Sequence, residues 1–305
     1  MSAEEYEKIF QNIGRGVLWG TFSGGEPFLR DDLAEICSSF YSICRPSFIN
    51  IPTNGLLYEK IPSAVEKIAN ICHKSNVIIN VSLDHWQEEH DKIRQVPGNF
   101  QKTLKTYQAL KDLALKNLTV GIHTVISRYN VGDFREIYKK LTSLEPDSYI
   151  VEMAEEREEL STKGSDISPS PEDYGDAVYF LLEEINKKKF ARVSRLTQAF
   201  RRVYYELSKD TLYKEKQIIP CYSALISAQI SPDGHVWPCC VRGDSMGNLR
   251  ENGYDFRKIW AGDKAKTIRK SIKAGECYCP LANAAYTNIL CDPFSMFKVL
   301  YSLAT

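Results

Sequence analysis

The stretch Phe22-Ser23-Gly24-Gly25-Glu26-Pro27-Phe28-Leu29-Arg30, FSGGEPFLR, follows an apolar run, Val17–Phe22, and precedes Leu33, Ile36, Cys37, Phe40 and Tyr41 at helical spacing. A strand, a glycine-rich turn and a helix in that order put the turn at the C-terminal end of a strand. Parallel α/β folds bind their ligands there. Adjacent glycines let a ligand approach the backbone where a Cβ would stand in the way. Glu26 adds an acceptor for a cationic group such as an ammonium.

The same rhythm continues outward. Phe48–Pro52, Val77–Leu83, Thr119–Ser127 and Ser148–Met153 read as further strands, and amphipathic helices lie between them. Pro62 falls in the first turn of one helix, and Asn99 and Asn130 stand where N-caps are expected. Strands and helices alternating at roughly 30-residue intervals make βαβ units, hence a parallel sheet or part of a barrel. The next two strand ends carry Thr53-Asn54-Gly55 and Ser82-Leu83-Asp84. Ser82 and Asp84, two apart, share a side and suit a sugar hydroxyl. Singly these are ordinary features: a Gly-Gly turn, an Asn-Gly turn, a helix cap. Their succession at three consecutive strand ends marks a ligand rim.

The pattern breaks after Met153. AEEREELSTKGSDISPSP reads as a boundary, and the acidic run 152–159 as a solvated loop, with contact to substrate as the alternative. Helices follow from Ser170 to about Lys189 and over Arg192–Leu207. Their basic residues Lys187, Lys188, Lys189, Arg192, Arg195, Arg201 and Arg202 read as a solvated face. LISAQISPDGHVWPCC is a β-hairpin about Pro232-Asp233-Gly234, and Phe256, Ile259 and Trp260 mark a short helix. The expected divisions are 1–155, a helical region 156–217, and a cysteine-rich domain 218–305.

Lys plus Arg and Asp plus Glu both number 39, so no bulk field favours nucleic acid or membrane. No apolar run approaches the roughly 18 residues of a membrane span, and MSAEEYEKIF lacks a signal peptide's order. A cytoplasmic setting with reduced thiols is expected. Six of the nine cysteines (Cys221, Cys239, Cys240, Cys277, Cys279, Cys291) then point to a metal or cluster site rather than disulfides. Four thiolates suit iron–sulfur or zinc. Cys239 and Cys240 face opposite ways if they lie on a strand, so one of the two is expected as a ligand. Cys37 and Cys72 fall on apolar helix faces and read as buried thiols.

SGGEPFLR, PTNG and VSLDHWQEEHDKIRQVPGNF, in this order and spacing, resemble radical S-adenosylmethionine (radical SAM) enzymes over residues 4–153. The resemblance implies an α/β fold, a partial (β/α)6 barrel, with S-adenosylmethionine as cofactor. Gly24, Gly25 and Glu26, with Pro27 in the same loop, would hold its methionine amino group. Ser82 and Asp84 would lie near the ribose, and Thr53 and Asn54 match the family's Thr-Asn-Gly strand end. The C-terminal cysteines are similar to SPASM or shorter twitch domains. That likeness implies Cys221, Cys239, Cys277 and Cys279 as ligands of one auxiliary 4Fe-4S cluster, or of zinc, with Cys240 and Cys291 as alternates. Asn283 stands where a full SPASM domain carries another cysteine. The implied activity is reductive cleavage of S-adenosylmethionine to a 5′-deoxyadenosyl radical that takes hydrogen from a substrate. Relatives act on peptides, proteins or small molecules, with an electron donor such as ferredoxin or flavodoxin.

The family's C-x3-C-x2-C motif, which holds the radical-generating 4Fe-4S cluster, does not occur in these 305 residues. Cys37 and Cys44 are separated by six residues and lie beyond the Gly-Gly-Glu loop. The expectation is therefore a fragment lacking the first barrel strand and its cluster, inactive alone, with Val17–Phe22 as an apolar sheet edge. The alternative is a non-catalytic pseudoenzyme or binding module with a structural zinc or iron–sulfur site.

Overall fold

Apolar residues at every second position of the strands put one sheet face against helices. The computed structural model describes residues 1–158, 160–187 and 192–304. Strands β1 (Trp19–Thr21), β2 (Phe48–Thr53), β3 (Asn76–Ser82), β4 (Leu118–Ile126) and β5 (Ser148–Met153) form one sheet in the order β1-β2-β3-β4-β5. The pairs from β1 to β4 are parallel. The result is an α/β half-barrel, one of the two arrangements that the strand spacing allows and the one that the resemblance implies. Ile49, Ile51, Val77, Ile79 and Val81 are fully buried on the helix-covered face. There they pack with Ile36, Cys37 and Phe40 of α2 (Leu33–Cys44), Val65 and Ile68 of α3 (Ile61–Ile71) and Tyr107 and Leu110 of α5 (Asn99–Asp112).

β1 is shorter than its apolar run. Leu18 lies outside it, and its carbonyl accepts the N–H groups of both Ser47 and Phe48. Among the described residues β1 pairs only with β2, and Leu18 and Trp19 are exposed. The capping roles also differ from expectation. Asn99 is the first residue of α5 rather than its cap. The Asp91 carboxylate accepts the N–H groups of Gly98 (2.6 Å) and Phe100 (2.7 Å), which leaves Asn99 Oδ1 to face His90 Nε2 at 3.3 Å. Asn130 turns its Oδ1 back to the Ser127 N–H at 2.7 Å, four residues before α6 (Phe134–Thr142) starts. Pro62 does open α3, where its missing N–H costs nothing.

The chain divides into two compact units. One holds residues 1–125, 136–151 and 254–257; the other holds 126–135, 152–253 and 258–305. The helical region and the cysteine-rich segment thus share the second unit. It contains α7 (Pro171–Lys187), capped by the Ser170 hydroxyl at the Asp173 N–H (3.1 Å), and α8 (Arg192–Lys214), which runs seven residues past the expected end. The hairpin pairs β6 (Gln229–Ile230) with β7 (His235–Trp237) around Gly234, whose φ of 96° is left-handed. A third strand, β8 (Gly247–Asn248), is too short to show a period in the sequence. Helices α9 (Phe256–Ala261), α10 (Asp263–Lys273), α11 (Ala282–Cys291) and α12 (Pro293–Ala304) follow.

The basic helix face is only partly solvated. Arg201 is buried and hydrogen-bonds Tyr286, while Arg195 donates to the Leu303 carbonyl at 2.7 Å. Lys188 and Lys189 lie outside the described residues, as does Glu159 of the acidic run. No helix among the described residues is long and apolar enough to cross a membrane.

The turn after β2 is fixed from α5. The Thr103 and Thr106 hydroxyls donate to the carbonyls of Asn54 (2.8 Å) and Gly55 (2.5 Å). Gly55 has a φ of 74°, and a Cβ there would lie 2.8 Å from Thr103 Cγ2 and 3.0 Å from Thr103 Cα. Gly55→Ala therefore combines left-handed strain with a backbone clash, and is expected to cost about 2 kcal/mol in urea unfolding. A loss of only a few tenths would mean that α5 yields.

Candidate functional site

Glu26 ends the turn after β1 and joins it to the end of β2. Its carboxylate accepts the Phe28 N–H (3.1 Å), the Asn54 N–H (2.7 Å) and the Thr53 hydroxyl, 3.0 Å from both oxygens. These residues come together because Phe22 N–H pairs with the Asn50 carbonyl, extending the β1–β2 register to the turn. Pro27 and Phe28 are buried in the short 3-10 helix that Glu26 caps. A carboxylate offers about four lone-pair sites, so three donors leave room for about one more. Gly24 has a φ of 144°, and a Cβ on Gly24 or Gly25 would meet nothing within 4 Å. Beside the remaining acceptor site is open space along a bare backbone, which fits an ammonium held by a carboxylate.

The third strand end is arranged differently. Ser82 is half-buried, and its side chain makes no hydrogen bond to the described residues. Asp84 is buried, with one oxygen 2.6 Å from Arg94 Nη2 and the other accepting the Val125 N–H at 2.9 Å. Its own N–H donates to His90 Nδ1 at 3.1 Å. Asp84 thus fastens β3 to β4 and to α4 (Glu88–Arg94). Burial lowers the pKa of His90, which keeps Nδ1 available as the acceptor.

In the second unit, Cys221, Cys277 and Cys279 line one cavity with Ser208, Gln217 and Asn288. Cys239 packs near Cys279 and Leu281. Burial raises the thiol pKa values of Cys239, Cys277 and Cys279, and neighbouring thiols push further: Cys221 and Cys277 act on Cys239, and Cys239 and Cys221 on Cys279. The four expected ligands are therefore brought together. Among the described residues no three His, Cys, Asp or Glu side chains stand close enough to hold a metal ion. A zinc ion with ~2.3 Å bonds draws its sulfurs to within about 4 Å of one another, whereas a four-iron cube binds each sulfur at its own corner. Four thiols are a donor set that either group accepts once deprotonated. Cys239 and Cys240 follow β7 rather than lying on it; Cys240 is buried with Leu281 and Ala284, and Cys239 packs against the same cluster. Cys291 ends α11 and does not line the cavity. Cys37 and Cys72 are buried as expected.

Two residues beside the thiols carry no signal in the sequence. Arg242 donates from Nη1 towards Cys277 Sγ at 3.9 Å and to Ser271 Oγ at 2.9 Å, while its Nε donates to Asp244 at 2.5 Å. Glu155, in the run expected to be solvated, is buried. It follows β5, and the Ala154 N–H donates to the Ile126 carbonyl at 2.7 Å, so the chain stays on the sheet for longer than its charges suggest. Burial lifts the Glu155 carboxyl to about 7, opposed by Arg157, whose Nε lies 3.3 Å away, and aided by Glu152. Its charge in turn pushes up the Cys279 thiol.

Residues 1–141 match the model of the radical SAM superfamily, and residues 221–280 that of the SPASM iron–sulfur cluster-binding domain. The chain thus carries a radical SAM domain followed by a SPASM domain. It is similar to the AdoMet-dependent heme synthase of Methanosarcina barkeri, 27% identical over 85% of this chain and 71% of that protein. It is also similar to the antilisterial bacteriocin subtilosin biosynthesis protein AlbA of Bacillus subtilis, at 24% over 92% of this chain, and spans 59% of that relative's length. The fold matches the solved structure of native anSMEcpe with bound AdoMet and Cp18Cys peptide at a TM-score of 0.58 and 15% identity, over 99% of this chain and 88% of that one.

Glu155 yields a stability test. Its carboxyl titrates at an ordinary 4.5 unfolded and about 7 folded, so the folded protein binds the proton more tightly and stability falls as pH rises through that window. Glu155→Gln is expected to change little at pH ~4 and to stabilise by roughly 2 kcal/mol at pH ~8, read from chemical denaturation across that range. Equal effects at both ends would refute the buried assignment.

Proposed function

We propose that this chain is the body of a radical SAM enzyme that modifies a peptide or protein. S-adenosylmethionine binds along Gly24, Gly25 and Glu26 and the ends of β2 and β3, and Cys221, Cys239, Cys277 and Cys279 hold an auxiliary 4Fe-4S cluster. The observation that carries the reading is the open glycine backbone beside a Glu26 carboxylate with one acceptor site left. When bound and given an electron by a four-iron cluster, S-adenosylmethionine supplies a 5′-deoxyadenosyl radical. The chain's own work is positioning. Glu26 orients the ammonium, the glycines allow close approach, and the Ser82 hydroxyl offers a donor and acceptor to the ribose.

The peptide class is supported by the sheet face opposite the helices. Its positions on β1 to β4, from Trp19 and Thr21 to His123 and Val125, include no Asp, Glu, Lys or Arg. They carry instead a neutral amide ladder. Asn80 Nδ2 donates to Asn50 Oδ1 (2.8 Å), Asn50 Nδ2 to Thr21 Oγ1 (3.4 Å), and Trp19 Nε1 to the same hydroxyl (2.9 Å). Asn80 Oδ1 is buried with no hydrogen-bond partner among the described residues. Such a face suits backbone amides and offers nothing to a polyanionic small molecule.

A second reading, a non-catalytic binding module, draws on the absence of C-x3-C-x2-C from the sequence and on the prior engagement of Asp84 by Arg94. Reconstitution with iron and sulfide separates the two. The first expects a brown protein with cluster-stoichiometric iron, the second stoichiometric zinc. The 305-residue chain alone is expected to release no 5′-deoxyadenosine, and multiple turnovers would overturn that. In a version that also carries the three-cysteine cluster, Glu26→Ala is expected to abolish S-adenosylmethionine binding by calorimetry; unchanged affinity would remove Glu26 from the site.

A further inference from the structure

Arg242 is held at three points. Asp244 fixes its Nε, Ser271 takes a bond from Nη1, and the same nitrogen points at Cys277 Sγ at 3.9 Å. The side chain is about one-fifth exposed, so solvent screens it weakly. A guanidinium keeps its charge at every working pH and donates in a fixed plane. We propose that Arg242 sets the reduction potential of the auxiliary cluster by donating a charged hydrogen bond to its Cys277 ligand. This rests on the reading above that Cys277 is a cluster ligand.

The sign follows from the charges. Four thiolates around a four-iron core make a dianion that becomes a trianion on taking one electron. A nearby cation and a donor to a ligating sulfur favour the more negative state, so both raise the potential. Asp244 opposes this, but it binds at Nε, whereas Nη1 is the nitrogen directed at the sulfur. The positive charge at the sulfur therefore prevails.

The test is an EPR-monitored redox titration of the anaerobically reconstituted protein, after its iron and sulfide have been measured. Arg242→Gln is expected to disfavour reduction about tenfold, or about 59 mV for one electron. Arg242→Lys, which keeps charge but not the planar fork, should fall between. Lys264→Gln, an exposed charge on α10, should leave the potential where it was. An Arg242→Gln cluster with the wild-type potential overturns the proposal, and so does an equal shift in Lys264→Gln, which would reduce the effect to bulk charge. If Arg242→Gln does not retain its cluster, Arg242→Lys decides: a lowered potential supports the proposal and an unchanged one overturns it. Wild-type protein without cluster-stoichiometric iron fails the underlying reading instead, and the iron measurement reveals that before any potential is read.

Discussion

The Glu26 carboxylate is the constraint on which the first unit's rim depends. It draws donors from its own turn, through Phe28, and from the end of β2, through Thr53 and Asn54. Hydrogen bonds to an ionised acceptor contribute more than neutral ones, about 1.5–3 kcal/mol each. Without them the glycine pair would have no fixed partner, because neither residue packs a side chain against the fold. The carboxylate thus holds the loop and, with its remaining lone pair, offers the charge a ligand would meet. Fold and binding share one group here.

The second unit has the opposite arrangement. Its thiols are gathered by packing, and burial makes Cys239, Cys277 and Cys279 reluctant to ionise. A cluster or metal ion held there would need thiolates, so its bonds would have to offset this reluctance, and its binding would release protons. Arg242 directs Nη1 at Cys277 Sγ and partly relieves the Cys277 penalty. Glu155 acts the other way on Cys279. The two edges of the thiol group therefore differ in electrostatic character, although all four residues are chemically alike.

Much of this was legible in the residues alone. Strand positions, the glycine loop and the Thr-Asn-Gly turn follow from apolar alternation and turn chemistry, which are local. What escaped was non-local. Asn99 is a good cap by type, but Asp91, eight residues earlier, already takes those N–H groups. Asp84 reads as a ligand group by its place at a strand end, and nothing nearby in the sequence announces its bonds to Arg94 and the β4 backbone. Glu155 sits in a charged run whose composition says solvent, while the strand before it carries the chain into the interior. Side-chain partners far apart in sequence decide such cases, and periodicity does not report them.

Glycine at 55 and threonine at 103 and 106 belong to one arrangement: a left-handed turn whose two carbonyls are claimed by helix hydroxyls, with no space for a methyl group between them. None of the three can drift independently. A larger residue at 55 would meet the Thr103 main chain as well as its side chain, and loss of a hydroxyl leaves a buried carbonyl bare. In a lineage these positions should be retained together, so the turn after β2 is inherited with a helix that begins more than forty residues later.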